Sequence, residues 1–307
     1  MKRILVAGEI NVDLVFRDCH AFPLPGKEVL ADDFVMTPGS SSMICAMGLA
    51  RLGNPVAFVG WAGMDSWGDY CVAALQNAGI DTTGILRDEA LRTGVTTSLS
   101  TAQDRALVTF AGATATLSAG DISDERLQAF DHLHISSYYL QSALRPGCHD
   151  LFARARRHGL TTSLDPGFDP DERWGDELFE MLDEVDLFLP NDVELLGITG
   201  KTSLMDGLHR LADRRARTVV KRGSQGSATF DGENLIAGPA YPMTLVESTG
   251  AGDSFNAGFI HAWLRQQSLI DCLRWGGACG SLSTRGVGGT TRQADVAEVL
   301  ALIEAVQ

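Results

Sequence analysis

No uninterrupted apolar run in this chain approaches the ~18 residues that a membrane-spanning helix needs. Nor is there any basic excess: 25 Lys and Arg stand against 39 Asp and Glu, a formal net charge of −14. The first absence speaks against a helical membrane protein. The second speaks against a protein that coats nucleic acid, which normally presents a basic face. Phosphate ligands stay possible, because one local cluster of N–H groups and cations suffices to hold them. Cys-x-x-Cys pairs are missing, and Cys19, Cys45, Cys71, Cys148, Cys272 and Cys279 show no metal-ligand spacing with the histidines. They read as reduced, mostly buried thiols of a cytoplasmic protein. No G-x-x-x-x-G-K-[ST] occurs, which excludes a P-loop, and no G-x-G-x-x-G follows the first strand, which excludes the dinucleotide oxidoreductase fingerprint. The opening MKRILVAGEINVDLVF has a signal peptide's basic start, but Glu9, Asn11 and Asp13 interrupt the apolar run, so it reads as a first β-strand.

What is present is an ordinary globular balance: 307 residues, 45% apolar and 21% charged, enough to bury a real core. Short β-branched or apolar runs (4–7, 56–59, 132–135, 161–164, 187–189, 218–220) alternate with runs of helical length (42–52, 67–78, 147–158, 175–182, 204–214). That rhythm predicts an α/β fold with a mainly parallel sheet and helices on both faces. Three successive helices, 253–266, 268–284 and 294–305, are expected at the end. Two stretches break the rhythm. Residues 10–36 carry turn signals and strand-like ends, and 93–110 reads as two β-rich runs joined by a polar turn at Gln103–Asp104. Together they are expected to form a small antiparallel sheet inserted in one domain spanning 1–307, a lid over the ligand cleft. An exposed edge of that lid is also a surface through which a homodimer would form.

The stretch Glu247–Phe259, ESTGAGDSFNAGF, raises the chemical question. Its glycines permit a left-handed turn, and a helix beginning near Asp253 would aim unpaired N–H groups and its dipole at an anion. Two readings of Asp253 stand side by side. It caps the helix, as Asp commonly does, or it is a base that takes a proton from an alcohol while the turn holds the phosphoryl group under attack.

STGAGDSFNAGF resembles the C-terminal signature of the ribokinase/PfkB family of carbohydrate kinases. The resemblance implies a ribokinase-like three-layer αβα sandwich and ATP-dependent phosphorylation of a primary hydroxyl of a small sugar. Asp253 then becomes the general base, and Gly250, Ala251, Gly252 and Asp253 form the anion hole. By the same resemblance Asn11 and Asp13 of Gly8-Glu9-Ile10-Asn11-Val12-Asp13 reach sugar hydroxyls. Residues 37–53 fall where the family carries G-G-x-x-x-N. Gly39 is kept, Ser40 stands at the second glycine and Ile44 at the asparagine. Ser40 is a substitute donor or a helix cap, and Arg105 at the lid turn reaches the substrate or is a solvated cation. Asn191 and Glu194 match N-x-x-E, implying Mg²⁺ held through water, though the pair also reads as a capping box. Gly223 and Gly226 match the nucleotide loop T-x-G-x-x-G, in which Lys221 stands in place of the Thr and would add charge near the phosphates, and Thr249 joins them. Glu247 stands where relatives have an Asp tied to a monovalent cation, so K⁺ joins ATP and Mg²⁺ among the implied ligands. A nucleoside kinase of the same family and a non-catalytic ligand-binding relative are the alternatives.

Overall fold

The computed structural model describes residues 1–101 and 105–306, with the side chain of Arg105 outside that set. Thirteen strands occur among the described residues: β1 (Ile4–Ala7), β2 (Asn11–Cys19), β3 (Ala31–Pro38), β4 (Val56–Gly63), β5 (Asp81–Asp88), β6 (Gly94–Ser100), β7 (Arg105–Phe110), β8 (His132–Ile135), β9 (Thr161–Leu164), β10 (Leu187–Phe188), β11 (Arg217–Lys221), β12 (Ser227–Phe230) and β13 (Leu235–Gly238). Nine of them form one sheet in the order β13-β12-β11-β10-β9-β8-β1-β4-β5. All its pairings are parallel except β11–β12 and β12–β13. Each expected central strand is there.

Side chains of β1 alternate between two apolar cores, Ile4 and Val6 on one face and Leu5 and Ala7 on the other. This is why the strand reads as a continuous apolar run: both of its faces are covered by helices. Helices Ser41–Arg51, Ala251–Leu264 and Leu269–Ser283 contribute to the first core, and Arg145–Arg157 to the second. The architecture is therefore a three-layer αβα sandwich. Among the described residues no helix is long and apolar enough to cross a membrane.

Four strands make a second, separate sheet in the order β3-β2-β6-β7, drawn from the two stretches that break the βα rhythm. It is not wholly antiparallel as expected, because β2 and β6 pair in parallel. The sheet leaves the carboxyl end of β1 through Gly8–Ile10, the end at which open α/β sheets bind ligands. Cross-strand partners share a face. Asp13 lies beside Thr37 and Thr96, and Thr96 beside Thr109, giving one polar face. On the other, Leu14 pairs with Met36, Phe16 with Phe34 and Val95 with Phe110. The turn expected at Gln103–Asp104 lies outside the described residues. At the base of the sheet Asp65 accepts from the Thr93 N–H at 2.8 Å and the Thr93 hydroxyl at 2.7 Å, fixing where β6 begins.

Candidate active site

The glycine-rich turn folds as a left-handed entry into a helix. Gly250 has φ +73° and is the N-cap of helix Ala251–Leu264. A Cβ there would stand 2.5 Å from the Cα of Gly289 and 3.1 Å from Ile44 Cγ2, so only glycine fits. No side chain caps this helix. The capping reading of Asp253 therefore fails: the carboxylate sits in the first turn and is left for other work. The Ala251 N–H is already spent on the Ser248 carbonyl at 3.2 Å. Of the four-residue anion hole expected from sequence, the N–H groups of Gly250, Gly252 and Asp253 are left, the last two in the first turn, ahead of any helical carbonyl they could reach. Asp253 is half-buried. Burial first, and the neighbouring Asp165 second, push its carboxyl up to about 7, while the Ser41 side chain hydrogen-bonds it.

Around Asp253 lies a group that the sequence reading scattered. Lys221 closes β11, and its Nζ pairs with Asp165 Oδ2 at 2.5 Å. The same oxygen accepts from Asn256 Nδ2 at 2.5 Å, and Asp165 Oδ1 accepts from the Gly167 N–H at 2.9 Å. Burial opposes ionisation of both partners. The pairing prevails, holding the Asp165 carboxyl below and the Lys221 ammonium above their ordinary values. Asn191 and Glu194 form the capping box of helix Asp192–Thr199: Asn191 Oδ1 accepts from the Glu194 N–H, and Glu194 Oε2 from the Asn191 N–H, each at 2.8 Å. Burial, then Asp165, raises the Glu194 carboxyl to about 7.

Among the described residues no three His, Cys, Asp or Glu side chains are grouped to hold a metal ion directly. The donor set still suits Mg²⁺, which keeps several waters and leans on one or two carboxylates plus substrate phosphates. Glu194, buried and hydrogen-bonded only to the neutral Asn191, adds to Asp165 and Asp253 a surplus of negative charge that such a cation would relieve.

At the mouth of β2, Asn11 Nδ2 donates to Thr96 Oγ1 at 2.9 Å and to Asp13 Oδ1 at 3.2 Å, leaving the buried Asn11 Oδ1 with no partner. Burial raises the Asp13 carboxyl to about 7, and Glu247 adds to the rise. Gly39 is dictated by this carboxylate, since a Cβ there would lie 2.1 Å from Asp13 Oδ1. Ser40 occupies φ +65° and is the N-cap of helix Ser41–Arg51. Its hydroxyl donates to the Glu9 carbonyl at 2.8 Å and accepts from the Met43 N–H at 3.1 Å. Of the two readings of Ser40, the cap is the one realised, and its donor is committed away from a substrate. Ser42 hydrogen-bonds the buried Glu9 carboxylate at 2.6 Å, and Ile44 packs beneath Gly250 and Gly289.

Glu247 is likewise occupied. It accepts from the Thr249 hydroxyl at 2.5 Å and the Gly288 N–H at 2.7 Å. The longer carboxylate bridges two loops, and Thr249 serves that bridge rather than facing the nucleotide loop alone. Arg105 begins β7, and its side chain lies outside what is described.

Beyond the turn opens a cavity of about 490 Å³ whose lining includes Lys221, Gly223, Gly226, Tyr241, Gly252 and Phe255. Gly226 sits at φ +78°, where a Cβ would meet the Gly238 carbonyl at 2.1 Å, so the loop backbone runs close against β13. The cavity joins the turn at Gly252. Of the residues singled out from sequence, Asp253, Gly252, Lys221 and Glu194 converge, with Asn11 and Asp13 on the facing small sheet. Asn256 and Thr96 were missed, while Ser41, one of the three serines 40–42 read as donors or helix caps, hydrogen-bonds Asp253. Of the two missed, only Asn256 carried a signal, standing three residues after Asp253 and so on the same helix face.

Comparison with known proteins identifies the family. The profile of the pfkB family carbohydrate kinases matches residues 1–295. An ATP-dependent ribose-1-phosphate kinase of Halopiger xanaduensis is 30% identical over 305 residues, covering 98% of this chain and 97% of the relative. The fold matches Arabidopsis thaliana ribokinase complexed with ribose and ATP at TM-score 0.83 and 23% identity, over 99% of both chains. It matches Xylella fastidiosa fructokinase with bound ATP at TM-score 0.85 and 22% identity, over 99% and 98% of the two chains. The chain belongs to the pfkB family of carbohydrate kinases and is a sugar or nucleoside kinase of that family.

Proposed function

We propose that the protein transfers the γ-phosphoryl group of ATP to a primary hydroxyl of a small sugar, with Asp253 as general base. The observation that carries this reading is the position of Asp253: a carboxylate held near 7 in the first turn of a helix that it does not cap. The sugar lies between the polar face of the small sheet and the turn, with Asn11 and Asp13 on its hydroxyls. A carboxylate that only accepts and an amide that does both match a polyol. The nucleotide fills the cavity lined by Gly223 and Gly226, its phosphates reaching Gly252.

As the sugar oxygen attacks the γ-phosphorus, its proton passes to Asp253 and the bond to the β,γ-bridging oxygen breaks, releasing ADP. The Gly252 and Asp253 N–H groups meet the equatorial oxygens, where charge develops. When bound near Asn191 and Glu194, Mg²⁺ neutralises phosphate charge. The small sheet closes as a lid and keeps water from the phosphoryl group. Glu247 is bridged to Thr249 and Gly288, and its oxygens keep lone pairs with which a monovalent cation would be held.

A panel of ribose, fructose, a keto-deoxy sugar acid, ribose 1-phosphate and nucleosides, followed by coupled ADP release, tests the assignment. Sugar-dependent ADP release from one of the sugars supports it. Release with nucleosides alone moves the chain to the nucleoside class. Silence across the panel with tight binding of one ligand identifies a non-catalytic relative.

The outer face of the small sheet exposes Phe34, Met36, Val108 and Phe110, 38–67% accessible. Side chains this apolar on one sheet face need a cover, and a second copy of the same face supplies it. A homodimer is expected in light scattering. Phe34→Asp with Val108→Asp is expected to give a monomer that keeps its thermal stability.

A further inference from the structure

We propose that Lys221 is a catalytic residue of the phosphoryl transfer, its ammonium held by Asp165 in the ligand-free cleft and handed to the terminal phosphates of the nucleotide when they enter. The inference rests on the kinase reading above. Four observations carry it.

Lys221 lies where the nucleotide cavity meets the turn. Its Nζ is 3.6 Å from the point where a Cβ on Gly252 would stand, and its side chain lines the cavity. A cation there faces the oxygens that the Gly252 N–H would hold. Secondly, the pair with Asp165 is almost dry, with side-chain exposures of 11% and 6%, yet it borders an open cavity. A buried pair that serves only to tie β9 to β11 has no need to face one.

Thirdly, Lys221 is not the sole partner of Asp165. Asn256 Nδ2 donates to the same carboxylate oxygen, and the Gly167 N–H donates to the other. Breaking a buried ion pair is costly chiefly because it strands an unpaired charge. Here two donors remain on Asp165 when the lysine turns away, and the phosphate takes the lysine, so neither charge is stranded.

The fourth observation is the charge balance. Lys221 pairs with Asp165, and the fields of Glu194 and Asp253 bear on the same ammonium. A polyphosphate entering that field meets repulsion that Mg²⁺ alone would have to overcome. Lys221 is placed on the phosphate side of the cluster and can follow the charge as it moves onto the leaving oxygen. Asp165 and Asn256 are positioning residues in this scheme: they hold the ammonium at the cavity wall and do not touch the nucleotide.

Calorimetric titration with adenosine, ADP and ATP in Mg²⁺ tests the proposal without a sugar, alongside turnover on whichever panel substrate is active. In Lys221→Met, adenosine affinity is expected to stay within about twofold, while ATP affinity falls about tenfold or more, as loss of a charge-assisted contact implies. At saturating ATP, kcat falls about 10²-fold or more. Asp165→Asn keeps the lysine and loosens its anchor, so kcat falls with a smaller change in ATP affinity. Should Lys221→Met fail to fold around the charge left on Asp165, the double variant with Asp165→Asn removes that charge and carries the same expectation. An unchanged ratio of ATP to adenosine affinity with kcat within about threefold of wild type overturns the role of Lys221 and leaves the kinase reading standing. Wild-type protein that binds no nucleotide overturns both.

Discussion

Asp253→Asn is expected to lower kcat by about 10²–10⁴-fold and, at about pH 8, to raise the midpoint of thermal unfolding. The two effects have one cause. Burial, followed by Asp165, moves the Asp253 carboxyl from 3.8 to about 7. A carboxyl whose folded value lies above its unfolded value binds its proton more tightly when folded. Stability from this group is greatest below the unfolded value, falls as pH rises through the window from about 4 to about 7, and the full cost is present above it. With allowance for the group's half exposure, that cost is about 2 kcal/mol. Asn is neutral and of the same shape, so it removes the cost together with the base. The stabilisation should shrink as pH falls toward about 4, where wild type is also neutral. Calorimetry across pH, run beside turnover, measures both. A variant with wild-type turnover ends the assignment of the base. One that is destabilised at about pH 8 shows that the carboxylate is ionised and paired in the fold.

On the proposed assignment of the base, the same shift sets the pH dependence to be expected. A protonated base cannot accept the sugar proton, so kcat/KM should fall on the acid side, with its limb near 7 rather than near 4. Asp13, also raised to about 7 by burial, sharpens that limb. Asp165 and Asp65 have lowered values and stay ionised throughout, so the pairs with Lys221 and Thr93 do not melt in this window.

How much of this was legible in the residues depended on where each signal came from. Central strands buried on both faces, such as Ile4–Ala7 and His132–Ile135, announce themselves as apolar runs and were placed to the residue. Edge elements do not. β5 reads DTTGILRD, half exposed along its length, and its pattern is not that of a core strand. The hairpin β12–β13 escaped for a related reason, its strands being four residues each with little apolar periodicity, and helix Asp192–Thr199 showed itself only through the Asn191–Glu194 capping box. Within the site, the turn was legible because glycine spacing encodes backbone shape. Hydrogen-bond allegiance is not encoded that way. Ser40, Thr249 and Glu247 are polar residues at plausible ligand positions, and only the fold shows that Glu9, Glu247 and Gly288 respectively are their partners. The Lys221–Asp165 pair spans 56 residues of sequence. Neither residue alone signals it, because the parallel sheet is what brings the ends of β9 and β11 together.

The last prediction separates the shape of the turn from its chemistry. Gly252 and Gly250 are both invisible in a side-chain census, yet alanine should act oppositely at the two. At Gly252 the backbone is helical, and the nearest atom to a new Cβ is on the flexible Lys221 side chain at 3.6 Å, an ordinary contact. Alanine is the better helix former by about 1 kcal/mol, so Gly252→Ala should fold as well as wild type or slightly better. Its methyl group, however, stands between the turn and the Lys221 ammonium, in the space where the phosphoryl group must meet the Gly252 N–H. Loss of one oxyanion-type donor costs about 10²–10³-fold in kcat, and that is the expected fall. At Gly250 the φ of +73° and the 2.5 Å approach to Gly289 Cα make any Cβ strained. Gly250→Ala should lose about 1–3 kcal/mol of stability along with its activity. Thermal midpoints and turnover of the two variants, measured together, distinguish the cases. If Gly252→Ala is stable and fully active, no phosphoryl group sits at this turn, and the site of transfer must be sought elsewhere along the cavity.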